Sequence, residues 1–376
     1  MTAIITDVHY RMSLALIREL GQRGVNVVCC EKEGVKAPLG FASKHCSDAR
    51  TLPDGDYENA LYDVCAEYLE RDGKKPALMP VGAKTLAMLA KTDVRGRFSA
   101  VAGFCIPTEE QLDIFNDKSR TALLAKSLGI PTPEVYSPDS PEIAFPCVVK
   151  PVCGEKFGLS AAQRYKIVHT RDEMQSCFSE FERLTGSAPI VQKYLSGGAF
   201  GCSAVCRDGN IVSHICHRRI REYPVTGGPS SCCTAIHDER LLGYVSAAVK
   251  SVGYTGLAMF EFKADDRGEP FLLEINPRVW GTFPLTRVAR SVLPYAWYCL
   301  SAGLELPEKS DYAEKRMIFA FSDLAAAAGY FRKGQKKRAL GAVFDLLNPC
   351  VRDGLFEFGD ARPAFVYLRS FLGGKG

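Results

Sequence analysis

Residues 257–278, Leu-Ala-Met-Phe-Glu-Phe-Lys-Ala-Asp-Asp-Arg-Gly-Glu-Pro-Phe-Leu-Leu-Glu-Ile-Asn-Pro-Arg, constrain this chain more than any other stretch. Two alternating runs flank a polar turn at Gly268, the pattern of a β-hairpin. With the turn centred between Arg267 and Gly268, Glu261 falls opposite Glu274 and Phe262 opposite Leu273. A period of two then sends Phe260, Phe262, Phe271, Leu273 and Ile275 to a core and leaves Glu261, Lys263, Glu274 and Asn276 on the other face. Carboxylates directly opposite each other repel unless water solvates them or a cation lies between them. Spacing alone leaves both readings open, an exposed strand face and a cation site. The following Asn276-Pro277-Arg278 favours the second: it adds an oxygen ligand, a rigid turn and a guanidinium that forks onto carboxylate or phosphate. Hard oxygen donors at this spacing suit Mg, which takes one or two carboxylates together with substrate phosphates.

The rest of the chain frames that hairpin. Short apolar runs at 3–6, 25–30 and 77–81, with a helical pattern at 12–20, have the βαβ rhythm of a parallel sheet. The first strand-to-helix turn, Asp7-Val8-His9-Tyr10-Arg11-Met12-Ser13, has no glycine for a dinucleotide pyrophosphate to approach, so a Rossmann cofactor site is not expected. A helix is predicted over 109–128, ended by Gly129, Pro131 and Pro133. From Phe145 onward the texture is strand-rich with glycine connections, and helical pieces follow Leu300. The expected fold is α/β and α+β. A parallel-sheet domain at 1–108 precedes a two-subdomain region at 109–300 and a helical appendage at 301–376.

Composition narrows the function. The 376 residues are 47% hydrophobic and 24% charged, and a net charge of +4 gives no general affinity for nucleic acid. The one dense basic run, Arg332, Lys333, Lys336, Lys337 and Arg338, reads as a solvated helix end. Fifteen cysteines form no Cys-x-x-Cys pair, and His214, Cys216 and His217 near Cys206 match no zinc spacing. Reduced, buried thiols and a cytoplasmic location are expected. No secretory leader is visible, and apolar runs such as 319–328 are too short to span a bilayer, so no membrane partner is expected. No Gly-x-Ser-x-Gly elbow supports a hydrolase.

Four stretches, in order, resemble the ATP-grasp superfamily in its carboxylate-amine ligase-like branch: Phe145-Pro-Cys-Val-Val-Lys-Pro-Val-Cys-Gly154, Ile190-Val-Gln-Lys-Tyr194, Phe260-Glu-Phe-Lys263 and Leu273-Glu-Ile-Asn-Pro-Arg278. The resemblance spans about 116–292, with a weaker likeness of the N-terminal third to the family's pre-ATP-grasp domain. It implies ATP and Mg as cofactors, with Lys118 and Lys150 on the phosphates and Gly154 opening the glycine loop above them. Gln192, Lys193 and Tyr194 become the hinge at the adenine edge, and Glu261, Glu274 and Asn276 the metal ligands. A second segment, residues 218–231, offers Arg219 and Arg221 on one strand face and a possible anion nest of Gly227, Gly228, Ser230 and Ser231. Such a loop resembles that of carboxylate-amine ligases, while a plain turn stays open as the other reading. Trp280 reads as a core wall.

The activity so implied is ADP-forming ligation of a small-molecule carboxylate to an amine through an acyl phosphate. Arg278 and Arg219 would stabilise the developing charge. Other outcomes of the same resemblance are a thiol or carbamoyl acceptor and a non-catalytic nucleotide binder, and a homodimer is plausible for the family.

Overall fold

The computed structural model describes residues 1–151, 165–225, 227–308 and 311–373. Strands β1 (Thr2–Thr6), β2 (Asn26–Lys32), β3 (Asp48–Leu52) and β4 (Ala77–Met79) form a parallel sheet in the order β3-β2-β1-β4. Alternate residues enter two cores, as a sheet covered on both faces requires. Ile5 packs with Leu14 and Ile17 of helix Arg11–Gln22, and Ile4 packs with Leu61 and Cys65 of helix Tyr57–Asp72.

A single helix over 109–128 is not what forms. The Asp117 carboxylate accepts hydrogen bonds from the Ser119 and Arg120 amides, ending helix Glu109–Asn116 and starting helix Lys118–Ser127. An aspartate that caps so effectively breaks a helix in which it sits centrally. Its consequence is positional: Lys118 becomes the first residue of a helix packed against the hairpin.

A second sheet, β5-β8-β6-β7, is antiparallel throughout: β5 (Val135–Tyr136), β6 (Cys147–Lys150), β7 (Lys166–Val168) and β8 (Ile190–Lys193). The third is seven-stranded. Its first five strands in sequence are β9 (Ala199–Arg207), β10 (Asn210–Glu222), β11 (Ser230–Ile236), β12 (Gly256–Ala264) and β13 (Pro270–Asn276). With β14 (Arg316–Ile318) and β15 (Arg352–Asp353) the order is β13-β12-β9-β10-β11-β14-β15. One face carries Cys202, Ala204, Phe260 and Phe262 against Leu241 and Val245 of helix Glu239–Ser251. From the other, Val205, Leu257 and Met259 share a core with Trp280, Trp297 and the first sheet's Ile5.

One further expectation needs correction. Glu261 does pair with Glu274, but the register shifts there, and Phe262 pairs with Leu272 rather than Leu273. The extra residue is a bulge, and it exchanges faces: Leu272 is buried, while Phe271 and Leu273 are only half-buried. The C-terminal segment combines its helices with two short strands. It supplies β14 and β15 to the large sheet, and its Asp360 binds the buried Arg18 at 2.9 Å. The fourteen described cysteines are free, and all but Cys46 and Cys350 are buried.

Candidate active site

The hairpin brings two carboxylates together and the neighbouring elements bring cations to them. Asn276 spans the pair, its Nδ2 lying 3.3 Å from Glu261 Oε1 and 3.4 Å from Glu274 Oε1. Lys118 Nζ stands 3.6 Å from Glu274 Oε2, and Arg219 Nη2 from β10 stands 3.7 Å from Glu261 Oε2. Ser230 of β11 holds Arg219 by accepting from its Nε at 2.9 Å, and Glu222 lies 3.5 Å from Nη1. The bend at Pro277 returns Arg278, whose guanidinium donates to Asn276 Oδ1 and to the Val279 carbonyl, each at 3.2 Å. Lys150, from the second sheet, is near enough for its charge to act on Glu274 and to feel Lys118.

Burial and charge act on this group together. Burial pushes the Lys150 ammonium down to about 8, Lys118 pushes in the same direction, and Glu274 opposes them. Burial works against the Glu274 carboxylate as well, yet Lys118, Lys150, Asn276 and Arg278 together hold it below the usual range. The side chains of Lys118, Glu261 and Arg219 are about a quarter exposed, and that of Glu274 rather more. Charges left at such separations, open to solvent on one side, can take up a further ligand.

Among the described residues no cluster of three or more His, Cys, Asp or Glu gathers into a metal cage. The donor set is two carboxylates and one amide, which fits Mg shared with phosphates rather than an all-protein site. Asn276 turns its nitrogen to the carboxylates and its oxygen to Arg278, so service as an oxygen ligand requires the amide to turn over.

A family model described as ATP-grasp in the biosynthetic pathway with Ter operon matches residues 187–325. The C-terminal section of the carbamoyl phosphate synthase large chain of Methanopyrus kandleri is 26% identical over 222 residues, covering 54% of this chain and 40% of that one. The D-alanine–D-alanine ligase of Hydrogenovibrio crunogenus is 28% identical over 288 residues, covering 72% of this chain and 80% of the ligase. Among solved structures, the biotin carboxylase of Campylobacter jejuni, in its beta-gamma-ATP complex, superposes with a TM-score of 0.63 at 17% identity, over 84% of this chain and 74% of that one. The chain resembles the ATP-grasp superfamily over residues 187–325 and shares the fold of the biotin carboxylase. Its relatives lie on the carboxylate-amine ligase-like branch. It spans less than half the length of the synthase relatives it matches.

Within the ATP-grasp fold the other predicted residues separate. Gln192 and Lys193 lie in β8, paired with Val148 and Cys147 of the Lys150 strand, and the Lys193 amide donates to the Glu134 carbonyl. Tyr194 follows the strand end, with Lys263 Nζ 5.7 Å from its ring centre. Gly154 lies outside the described residues. Gly227 and Gly228 do not form an anion nest, because both amides donate to the Pro224 carbonyl, at 3.2 and 2.9 Å. Both glycines are sterically required there: a Cβ on Gly227 would meet the Tyr165 hydroxyl, and one on Gly228 the Tyr223 backbone.

Arg221 and Ser231 also stand apart from the site. The register of β10 on β11 shifts between Arg219 and Arg221, so the two arginines serve different partners. Arg221 is buried against Asp323 and Asp345, each at 2.7 Å, and Ser231 Oγ donates to Asp323 at 2.7 Å. Ser230 belongs to β11 and acts on Arg219. Trp280 is buried, as expected of a core wall.

Sequence reasoning missed one pair. Glu31, buried at the end of β2, accepts from His9 Nδ1 and the His9 amide at 2.8 Å and from the Lys32 amide at 3.0 Å. With Nδ1 donating to that carboxylate, Nε2 is left as the acceptor of a side chain 31% exposed. Beside it, Asp7 adopts a φ of 56° and its carboxylate accepts from the Gly82 amide and Thr85. This turn lies at the carboxyl edge of a parallel sheet, where such folds bind ligands, and that position was its available signal. It adjoins the hairpin's exit, since Arg11 lies beside Gly281, and Val8 belongs to the same core as Trp280 and Phe283. His217, by contrast, is pushed down to about 3 by burial and by Arg219, which leaves it neutral and unsuited to carry protons.

Proposed function

We propose that this chain is an ADP-forming ligase that activates a small-molecule carboxylate as an acyl phosphate and joins it to an amine. The observation that carries the reading is the Glu261–Glu274 pair, spanned by Asn276 and ringed by Lys118, Lys150, Arg219 and Arg278. Glu261, Glu274 and Asn276 would hold Mg, which when bound would supply positive charge to offset that of the phosphates. Lys118 and Lys150 bind the remaining phosphate oxygens.

The substrate carboxylate oxygen then bonds to the γ-phosphorus, and the bond to the bridging oxygen breaks to release ADP. The amine nitrogen next attacks the acyl carbon. Arg278 and Arg219 stabilise the oxyanion, whose collapse expels phosphate. The amine's surplus proton goes to His9 Nε2, oriented by Glu31. Replacing His9 by Gln should slow transfer to an ordinary amine about a hundredfold while sparing transfer to the weakly basic hydroxylamine, as measured by ADP release. Equal loss with both acceptors would remove His9 from the mechanism.

The experiment that tests the whole reading is ADP release from Mg-ATP against a panel of carboxylates and amines, singly and in pairs. Stimulation by one pair supports ligation and names its substrates; nucleotide binding with no stimulated release favours a binder. A carbamoyl-type acceptor is a second reading, favoured by the synthase relatives, and stimulation by bicarbonate would support it. Buried free thiols support a cytoplasmic location.

A further inference from the structure

The basic run expected to be a solvated helix end spans the turn between two helices, and the second of them carries an apolar stripe. Helices Ala320–Arg332 and Lys336–Leu347 form a hairpin whose inner side holds Ala326, Tyr330 and Ala339, with Asp323 and Asp345 on Arg221. The outer side of the second helix carries Leu340, Val343, Phe344 and Leu347, a spacing of three, four and seven that forms one stripe. Leu340 is 58% exposed, Phe344 70% and Leu347 75%, and Phe331 at the hairpin's tip is 64% exposed. Single exposed apolar residues are ordinary, but a stripe of four on one helix is not.

The charges beside the stripe identify what covers it. Arg332, Lys333, Lys336, Lys337 and Arg338 are all exposed, and among the described residues none forms an ion pair. From Phe331 to Cys350 the sequence has one acid, Asp345, which is buried against Arg221 and Arg316. A second copy of this surface would therefore bring cations and no carboxylates to meet them. Apolar side chains beside unpaired cations complement an anionic lipid surface instead.

We propose that this hairpin docks the protein peripherally on an anionic bilayer, with Leu340, Phe344 and Leu347 entering the acyl boundary and Lys333, Lys336 and Lys337 meeting headgroup phosphates. No described helix is long and apolar enough to cross a membrane, and the proposal needs none. It stands independently of the ligase reading.

The test is co-sedimentation of the whole chain with phosphatidylcholine vesicles and with vesicles containing about a third phosphatidylglycerol. Pelleting with the anionic vesicles alone, reversed by added salt, is expected. Lys336→Gln with Lys337→Gln should weaken it about 30-fold, at about fivefold per lysine. Phe344→Ser with Leu347→Ser should weaken it about tenfold or more. Unchanged melting temperatures would show that both variants fold. No pelleting, or pelleting that ignores both pairs of substitutions, overturns the proposal. So does an equilibrium-sedimentation dimer that Phe344→Ser dissociates, which would assign the stripe to a second copy. Retention on polyglutamate as strong as on vesicles and unaffected by Phe344→Ser would mean cation exchange alone, and would also overturn it.

Discussion

Two arginine–dicarboxylate groups sit on the same seven-stranded sheet and are built to opposite standards. Around Arg221 the bonds to Asp323 and Asp345 run from 2.7 to 3.2 Å, and all three side chains are buried. Arg316 and Ser231 take up further carboxylate oxygens, so positive and negative charge balance. Around Glu261 and Glu274 the contacts that Asn276, Lys118 and Arg219 make with the two carboxylates lie between 3.3 and 3.7 Å, and the side chains remain partly open to solvent. Among the described residues there, Lys118, Lys150, Arg219 and Arg278 outnumber Glu261, Glu274 and Glu222. A closed, balanced network holds elements together; an open one with surplus cations leaves room for a polyanion.

The comparison breaks most visibly at Asp323. Its replacement by Ala leaves Arg221 buried without one of its two carboxylates and should cost about 3–5 kcal/mol in denaturant unfolding. A loss below about 1 kcal/mol would mean that the buried network does not hold the C-terminal segment. Glu274→Gln should do the reverse, lowering ADP-forming turnover about a hundredfold or more while changing stability by less than about 1 kcal/mol. If Glu274→Gln unfolds the protein and turns over normally, the two groups have been assigned backwards.

A smaller effect sharpens the contrast through pH. Burial and Lys118 bring Lys150 down to about 8, so its charge is present below that pH and lost above it. ATP affinity measured by calorimetry should fall by up to about tenfold per pH unit above that value. Lys150→Arg, whose guanidinium stays charged, should flatten the profile. A flat profile in the unaltered protein would remove Lys150 from the phosphate site.

The open group was largely legible and the closed one was not. Period-two alternation around a polar turn placed Glu261 opposite Glu274, because strand pairing within a hairpin is local. The bulge beyond that pair leaves no mark in composition, which is why Leu272 and Leu273 exchanged faces. Lys118 was legible as a lysine, while the cap at Asp117 that aims it at Glu274 was read as helix interior. Arg221 looked equivalent to Arg219 because its partners lie more than a hundred residues away and sequence spacing cannot report them. Strands of three and two residues, β14 and β15, are too short to show alternation. Gly227 and Gly228 were legible as turn formers, but which oxygen their amides would meet depended on Pro224.

The Arg221 network also imposes a timetable on biosynthesis. Asp323 and Asp345 follow Arg221 by 102 and 124 residues. At roughly 5–20 residues per second, the ribosome delivers the second carboxylate roughly 6–25 s after the arginine. Until residues 316–318 are made, β11 has no β14 beside it, and until Asp345 follows, a guanidinium destined for the interior lacks its second carboxylate. The nascent chain therefore waits, one edge unsealed, until its last strands emerge.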